Sequence, residues 1–223
     1  MNDNYPLQLS YWDRRKALLG IGLGASAFLT PGLFADVLIN STPRQTEGPF
    51  YPDEMPLDTD NDLLVIGDSI TPAVGEVSHL SGTVKNVKGD LVKNALVEIW
   101  QVGAKGVHLH TKDDRPGRDE NFQGYGRFLT DSKGRYYFRT VKPVTYPGRA
   151  PHIHVAVTLN NKRMLTSQCY VKGDKRNDKD FIYKRLSKVG QKLTTVDFAP
   201  IKESKANELN AVWDIIIGMT PEG

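Results

Sequence analysis

The sequence predicts a mainly β protein: an antiparallel β-sandwich with few short helices. Three observations predict it. Turn signals recur about every ten residues along the chain, the rhythm of a sandwich and not of alternating βα units. Several segments alternate polar and apolar residues with period two, which turns one face of a strand inward. The 223 residues include 20 glycines and 13 prolines, above the ordinary combined share of roughly 12%, so many turns are expected.

Taken in order, residues 80–84 and 95–102 read as two strands, with Gly89-Asp90 as the turn between them. Residues 103–126 form a long polar connection carrying His108 and His110; a loop of that length in a compact domain is usually functional. The turn Asp131 to Gly134 leads into an alternating strand, residues 135–141. A second alternating strand covers residues 152–158, and Asn160-Asn161 signals a hairpin into residues 164–171. Residues 178–189 read as one helix with Asp178 as its N-cap.

Composition narrows the function classes. Hydrophobic residues make up 39%, charged residues 25% and aromatics 9%, which excludes a disordered, coiled-coil or collagen-like chain. Lys and Arg number 29 against 26 Asp and Glu, a net charge of +3. That excess, with no basic stripe, argues against nucleic acid as a partner. The single Cys169 excludes an internal disulfide framework and a multi-cysteine zinc site; out of phase with Gln168, it reads as a small buried hydrophobe. No apolar run reaches the roughly 18–20 residues of a membrane span.

The first 35 residues differ in kind. Asp13-Arg14-Arg15-Lys16 precedes an uncharged run from Ala17 to Leu29, then Pro31-Gly32, with Ala35 as a small exit residue. A basic region, a short apolar region and a small residue compose an export signal, and the paired arginines resemble a twin-arginine signal. The competing reading is an uncleaved anchor or a core helix. Residues 1–35 are therefore expected to direct export, with the periplasm as the destination, and residues 36–223 to form a single domain.

Two of the five histidines stand in Pro151-His152-Ile153-His154. In a strand, residues i and i+2 share a face, so both imidazoles can meet one metal while Ile153 points into the core. Tyr146 lies six residues upstream of His152, in a stiff turn between Pro143 and Pro147-Gly148, and Arg149 three residues upstream. Imidazole and phenolate without cysteine suit a hard trivalent iron.

Five blocks then match a known pattern in order: TEGPFYP at 46–52, NFQGYGR at 121–127, GRYYFRTVKP at 134–143, YPGRAPHIH at 146–154, and TSQCY at 166–170 followed by Gly173-Asp174. Together they resemble the intradiol ring-cleavage dioxygenases, the group of protocatechuate 3,4-dioxygenase and catechol 1,2-dioxygenase, over about residues 43–185. The resemblance implies an antiparallel β-sandwich, a non-haem Fe(III) held by two tyrosines and two histidines, and no organic cofactor. It implies His152 and His154 as metal ligands. It implies Tyr146 as the tyrosine that leaves the iron and takes a catechol proton. Arg149 becomes the stabiliser of negative charge on the substrate, and Gln168 a residue lining the iron pocket. The implied reaction joins a catechol-type small molecule and O2 into a muconate-type diacid. A homo-oligomer is left open.

One position departs from the pattern. The family's other tyrosine ligand falls in a Gly-x-Tyr unit at the start of the long loop, where this chain has Gly106-Val107-His108. On one reading His108 takes the tyrosinate's place, giving three imidazoles and one phenolate. On another it is only a polar residue of the pocket, with His110 or solvent in that place. The readings that compete with an active dioxygenase are a metal-binding homologue of altered or lost activity, with another metal or as a hydrolase, and a non-catalytic sandwich module.

Overall fold

A computed structural model describes residues 41–56, 58–219 and 222; the expected export segment, residues 1–35, lies outside them. The strands are β1 (Val77–Asn86), β2 (Leu96–Trp100), β3 (Tyr125–Leu129), β4 (Arg135–Val141), β5 (His152–Leu159), β6 (Lys162–Val171), β7 (Thr195–Val196), β8 (Ala199–Pro200), β9 (Leu209–Val212) and β10 (Ile215–Ile217). They form two five-stranded sheets. In the first, β1 has β4 antiparallel on one side and β9 and β10, both parallel, sharing the other; β8 lies beyond β9. The second runs β3-β2-β5-β6-β7 and is antiparallel up to its last pair. The second sheet is thus antiparallel, as expected, except at its β7 edge, while the first is mixed, with parallel pairing of its central β1 to β9 and β10. No helix among the described residues is long and apolar enough to cross a membrane.

The period-two pattern places the core. Val97, Ile99, Ile153, Val155, Val157, Leu165 and Cys169 of the second sheet join Leu80, Val84, Tyr136 and Phe138 of the first in one buried cluster. Each large apolar side chain so buried contributes about 1.5–3 kcal/mol. Asn160 and Asn161, at φ 50° and 61°, close the β5–β6 hairpin with the two positive-φ residues such a turn needs. Gly82 is required by close approach: a Cβ there would lie 1.9 Å from the Trp213 carbonyl oxygen, where the chain passes from β9 to β10.

The strands expected at 80–84 and 95–102 are present, with the turn at Gly89-Asp90 between them. They belong to different sheets: the turn returns the chain onto β1 through Val92 N–H to Val84 O (2.9 Å) and then releases it across the sandwich. One expectation is corrected: the single helix over 178–189 is absent. Short 3-10 turns occupy Asn177–Lys179 and Tyr183–Arg185, and α1 (Lys188–Thr194) follows with Ser187 as its N-cap, accepting from Gly190 N–H at 3.0 Å. Asp178 caps nothing, because Asp180 takes the helix-starting role locally. Its Oδ1 accepts from the amides of Ile182 and Tyr183, while its other oxygen is turned toward Arg149.

The outer face of the second sheet is unusual in being buried as well. Glu98, Trp100, His152, His154, Ala156, Gln168 and Tyr170 all point away from the core, yet each is 5% exposed or less. The segment from Pro43 to Tyr51 covers this face. Gln45 bonds the backbone of Thr166 and of Gln168, and Tyr51 packs edge-on against Trp100.

Candidate metal centre

Strand register sets the first three side chains. Trp100 pairs with His154, and His154 with Gln168, so one row crosses β2, β5 and β6. Two residues back, His152 pairs with Tyr170. Trp100 stacks flat on the His154 ring at 4.9 Å and 11°. The histidine face predicted from spacing is therefore present, with Ile153 in the core behind it.

Turns deliver the remaining groups. Tyr146-Pro147-Gly148-Arg149 closes through Arg149 N–H to Tyr146 O at 3.0 Å, with Pro at the second position and Gly148 at φ 77° in the third. This brings Arg149 Nη1 within 3.2 Å of Tyr146 Oη. Across from it, Gly106 at φ 76° tightens the loop before His108, and a Cβ there would press to 3.0 Å on the Thr145 carbonyl oxygen. The His108 ring consequently meets the Tyr146 ring at 4.8 Å, and Phe50 stacks on its other face at 4.2 Å.

The donor atoms converge. His152 Nε2 lies 3.1 Å from His154 Nε2 and 3.4 Å from Tyr146 Oη. Two donors about 2.1 Å from one ion at a right angle would be about 3.0 Å apart, so this separation fits a shared metal. The His152 Nδ1–H donates to the Ala150 carbonyl at 2.6 Å, leaving Nε2 bare. Asp113 holds His108 similarly from the Nδ1 side, at 3.2 Å, and His108 Nε2 is buried without a hydrogen-bond partner. A buried polar atom left so costs about 1–3 kcal/mol, a cost that a metal ion would remove. His154 Nδ1 is also buried without a hydrogen-bond partner, on the ring side away from the converging Nε2. Among the described residues no three His, Cys, Asp or Glu side chains form a metal-holding group; the third donor converging on His152 and His154 is a phenol.

Electrostatics keep these imidazoles neutral. Burial, then the positive charge of Arg149, pushes His152 down to about 3. Burial lowers His154 well below the ordinary range, and brings His108 to about 4 against the opposing pull of Asp113. Burial alone would raise the Asp113 carboxyl, but hydrogen bonds from Arg115 and the His108 amide outweigh it and hold it well below the usual carboxylate range. Burial raises Tyr146, opposed by Arg149. Neutral imidazoles are what a metal requires.

Arg149 is fixed from three directions: Nε to Asp180 Oδ2 at 2.8 Å, Nη2 to Gln168 Oε1 at 2.5 Å, and Nη1 to Tyr146. Gln168, expected to line the pocket, touches it through Arg149, and also accepts from Tyr170 Oη at 2.8 Å. A cavity of about 570 Å3 opens onto Tyr146 and Arg149, with Phe50, Phe181, Ile182 and Arg185 among its walls.

His110 is excluded from the cluster by its own turn. Its Nδ1 accepts from Lys112 N–H at 3.0 Å, and it meets Phe50 edge-on on the side facing Asp53. Asp113 escapes a sequence reading, since nothing in its spacing marks it; Asp180 reads from sequence only as turn and cap chemistry, which its contacts with the Ile182 and Tyr183 amides bear out, while its hold on Arg149 does not show there. Phe50 lies within the matched TEGPFYP block, and its place in that block is its only sequence signal; its contacts with His108 and His110 come from the fold.

Residues 46–218 match the family model described as Dioxygenase. The chain belongs to the intradiol ring-cleavage dioxygenases. Within this family it is 31% identical over 184 residues to the protocatechuate 3,4-dioxygenase beta chain of Burkholderia cepacia, covering 78% of each. It is 29% identical to the catechol 1,2-dioxygenase of Acinetobacter baylyi, over 88% of this chain and 68% of that one. The fold of this dioxygenase also superposes on an intradiol ring-cleavage dioxygenase from Tetranychus urticae with a TM-score of 0.66, at 20% identity, over 82% of this chain and 98% of that one.

Proposed function

We propose that this chain is an exported non-haem Fe(III) dioxygenase that opens a catechol-type ring with O2 between its two hydroxyl-bearing carbons, giving a muconate-type diacid. The observation that carries it is the convergence of Tyr146 Oη, His152 Nε2 and His154 Nε2 beside a cavity into which Arg149 reaches. Tyr146, His152 and His154 would hold the iron; His108, whose ring meets Tyr146 at 4.8 Å but which forms no three-histidine group with the other two in this structure, would have to draw closer to join them as the fourth donor. Bound there, Fe(III) would supply Lewis acidity and a template for the two catechol oxygens.

The protein's own part follows from the geometry. Tyr146 as phenolate takes a proton from an incoming catechol hydroxyl. Arg149, 3.2 Å away, steadies first that phenolate and then negative charge spreading onto the substrate. Asp180 and Gln168 keep the guanidinium from turning aside. Phe50 and Phe181 supply apolar walls for an aromatic ring, in a cavity within the usual range of small-molecule sites, about 300–1,000 Å3.

Residues 1–35 serve as the export signal on this reading, residues 36–223 as the working domain, and the periplasm as its location. Protein recovered from its native cell tests all three parts. The expected result is about one iron per chain, an N-terminus near Asp36 outside the cytosol, and oxygen uptake with at least one catechol. Iron without oxygen uptake across a catechol panel would favour altered chemistry at the same metal. An intact N-terminus in the cytosol would refute export alone.

A further inference from the structure

We infer that Asp113 is a positioning residue which, with His108, does the work of the tyrosinate this chain lacks. The inference rests on the reading of His108 as an iron ligand. Asp113 has a side chain 1% exposed, in the middle of the long loop. Its Oδ2 accepts from the His108 backbone amide at 2.8 Å, lies 3.2 Å from His108 Nδ1, and is 2.6 Å from Arg115 Nη2; its Oδ1 is 2.7 Å from Arg115 Nε. One carboxylate thus grips the same histidine by backbone and ring, and is itself gripped by a guanidinium fork.

The ring contact decides a tautomer. An ionised carboxylate only accepts, so His108 Nδ1 carries the hydrogen and Nε2 is left as a bare lone pair, buried and unpartnered. His110, two residues on, is set the other way. Its Nδ1 accepts from Lys112 N–H, so its hydrogen sits on Nε2. The loop therefore prepares one imidazole as a donor to a metal and denies the other that role.

Charge gives the second half. A histidine in place of a tyrosinate removes one negative charge from the iron's ligand set. Asp113 returns a negative charge one hydrogen bond behind the donor, and the N–H···carboxylate bond raises the basicity of the far nitrogen. Arg115 moderates this, and its guanidinium carbon also stands 5.9 Å from the Tyr146 ring centroid, tying both sides of the centre together.

The test compares Asp113→Asn, His108→Ala and the pair Asp113→Asn with His108→Tyr. Readouts are iron affinity by chelator competition, the Fe(III)/Fe(II) potential, and the His108 tautomer from ring-nitrogen NMR of metal-free protein. For Asp113→Asn the expected result is about a 10–100-fold loss of iron affinity and a more positive potential. In the His108→Tyr background the same substitution should change neither, because a tyrosinate needs no tautomer set for it. The unaltered protein should show His108 protonated at Nδ1. If His108→Ala lowers affinity while Asp113→Asn alters neither affinity nor potential, the inference is overturned and the ligand assignment stands. If His108→Ala keeps full affinity, the ligand assignment itself fails. Should Asp113→Asn not fold, the tautomer of the unaltered protein still decides, and an Nε2-protonated His108 overturns the inference.

Discussion

Replacing His152 with alanine is expected to yield a folded protein that holds almost no iron. His152 sits on the outer face of β5, apart from the core between the sheets, so its removal leaves the cluster of Ile153, Val155 and Val157 in place. It does remove a bare nitrogen that meets both His154 and Tyr146. Iron should fall from about one per chain to below about a tenth, since a site cut to two or three protein donors no longer outcompetes water and chelators. His154→Ala should behave alike, with an added loss of the stacking partner of Trp100. Activity on any catechol should drop by at least about a thousandfold, the metal being the source of the rate enhancement. Elemental analysis beside a thermal melt checks this; full iron occupancy in either variant would remove the site from these residues.

His108→Tyr is expected to deepen and shift the visible absorption of the iron-loaded protein. On the proposed ligand set the unaltered centre would have one phenolate, Tyr146, whose charge transfer to Fe(III) would give the colour. A second phenolate adds a second such transition and lowers the net charge of the centre by one. That same charge change stabilises Fe(III) over Fe(II), so the potential should fall. On the same ligand set, the higher positive charge of the unaltered centre should favour a catecholate dianion and also make the iron easier to reduce, and turnover should be slower than in the tyrosine variant. The substitution places the new ring between Phe50 and Tyr146, which already contact the His108 ring from two sides. An unchanged spectrum with unchanged iron affinity would mean that this side chain does not reach the metal.

Much of this was legible because it depends on neighbours in sequence. The β5–β6 hairpin follows from two adjacent asparagines that tolerate positive φ, and the shared face of His152 and His154 from the two-residue repeat of a strand. Tyr146 and Arg149 were legible as a pair because a Pro-Gly turn of four residues must bring its ends together. The helix over 178–189 failed for the opposite reason. Its starting residues are held by a contact thirty residues away, where Asp180 accepts from the Ala150 amide at 2.9 Å and from Arg149. Local propensity does not see such a contact, and it outweighs the gain from one more turn of helix. Strands β7 to β10 escaped notice because two to four residues are too short to show a period.

By itself the sequence determined the class of fold, the histidine pair on one strand face, the turn that aims Tyr146 and Arg149, and the substitution of histidine at position 108. All are consequences of spacing along a few residues of chain. Tertiary structure alone decided how two nearby histidines present their ring nitrogens. The sequence marks His108 only by its place in the Gly106-Val107-His108 unit, and His110 stands two residues on in the same loop. They differ in what approaches Nδ1: a carboxylate oxygen from Asp113 in one case, a backbone N–H from Lys112 in the other. An acceptor there leaves Nε2 bare and a donor there leaves it protonated, and that choice belongs to the folded loop.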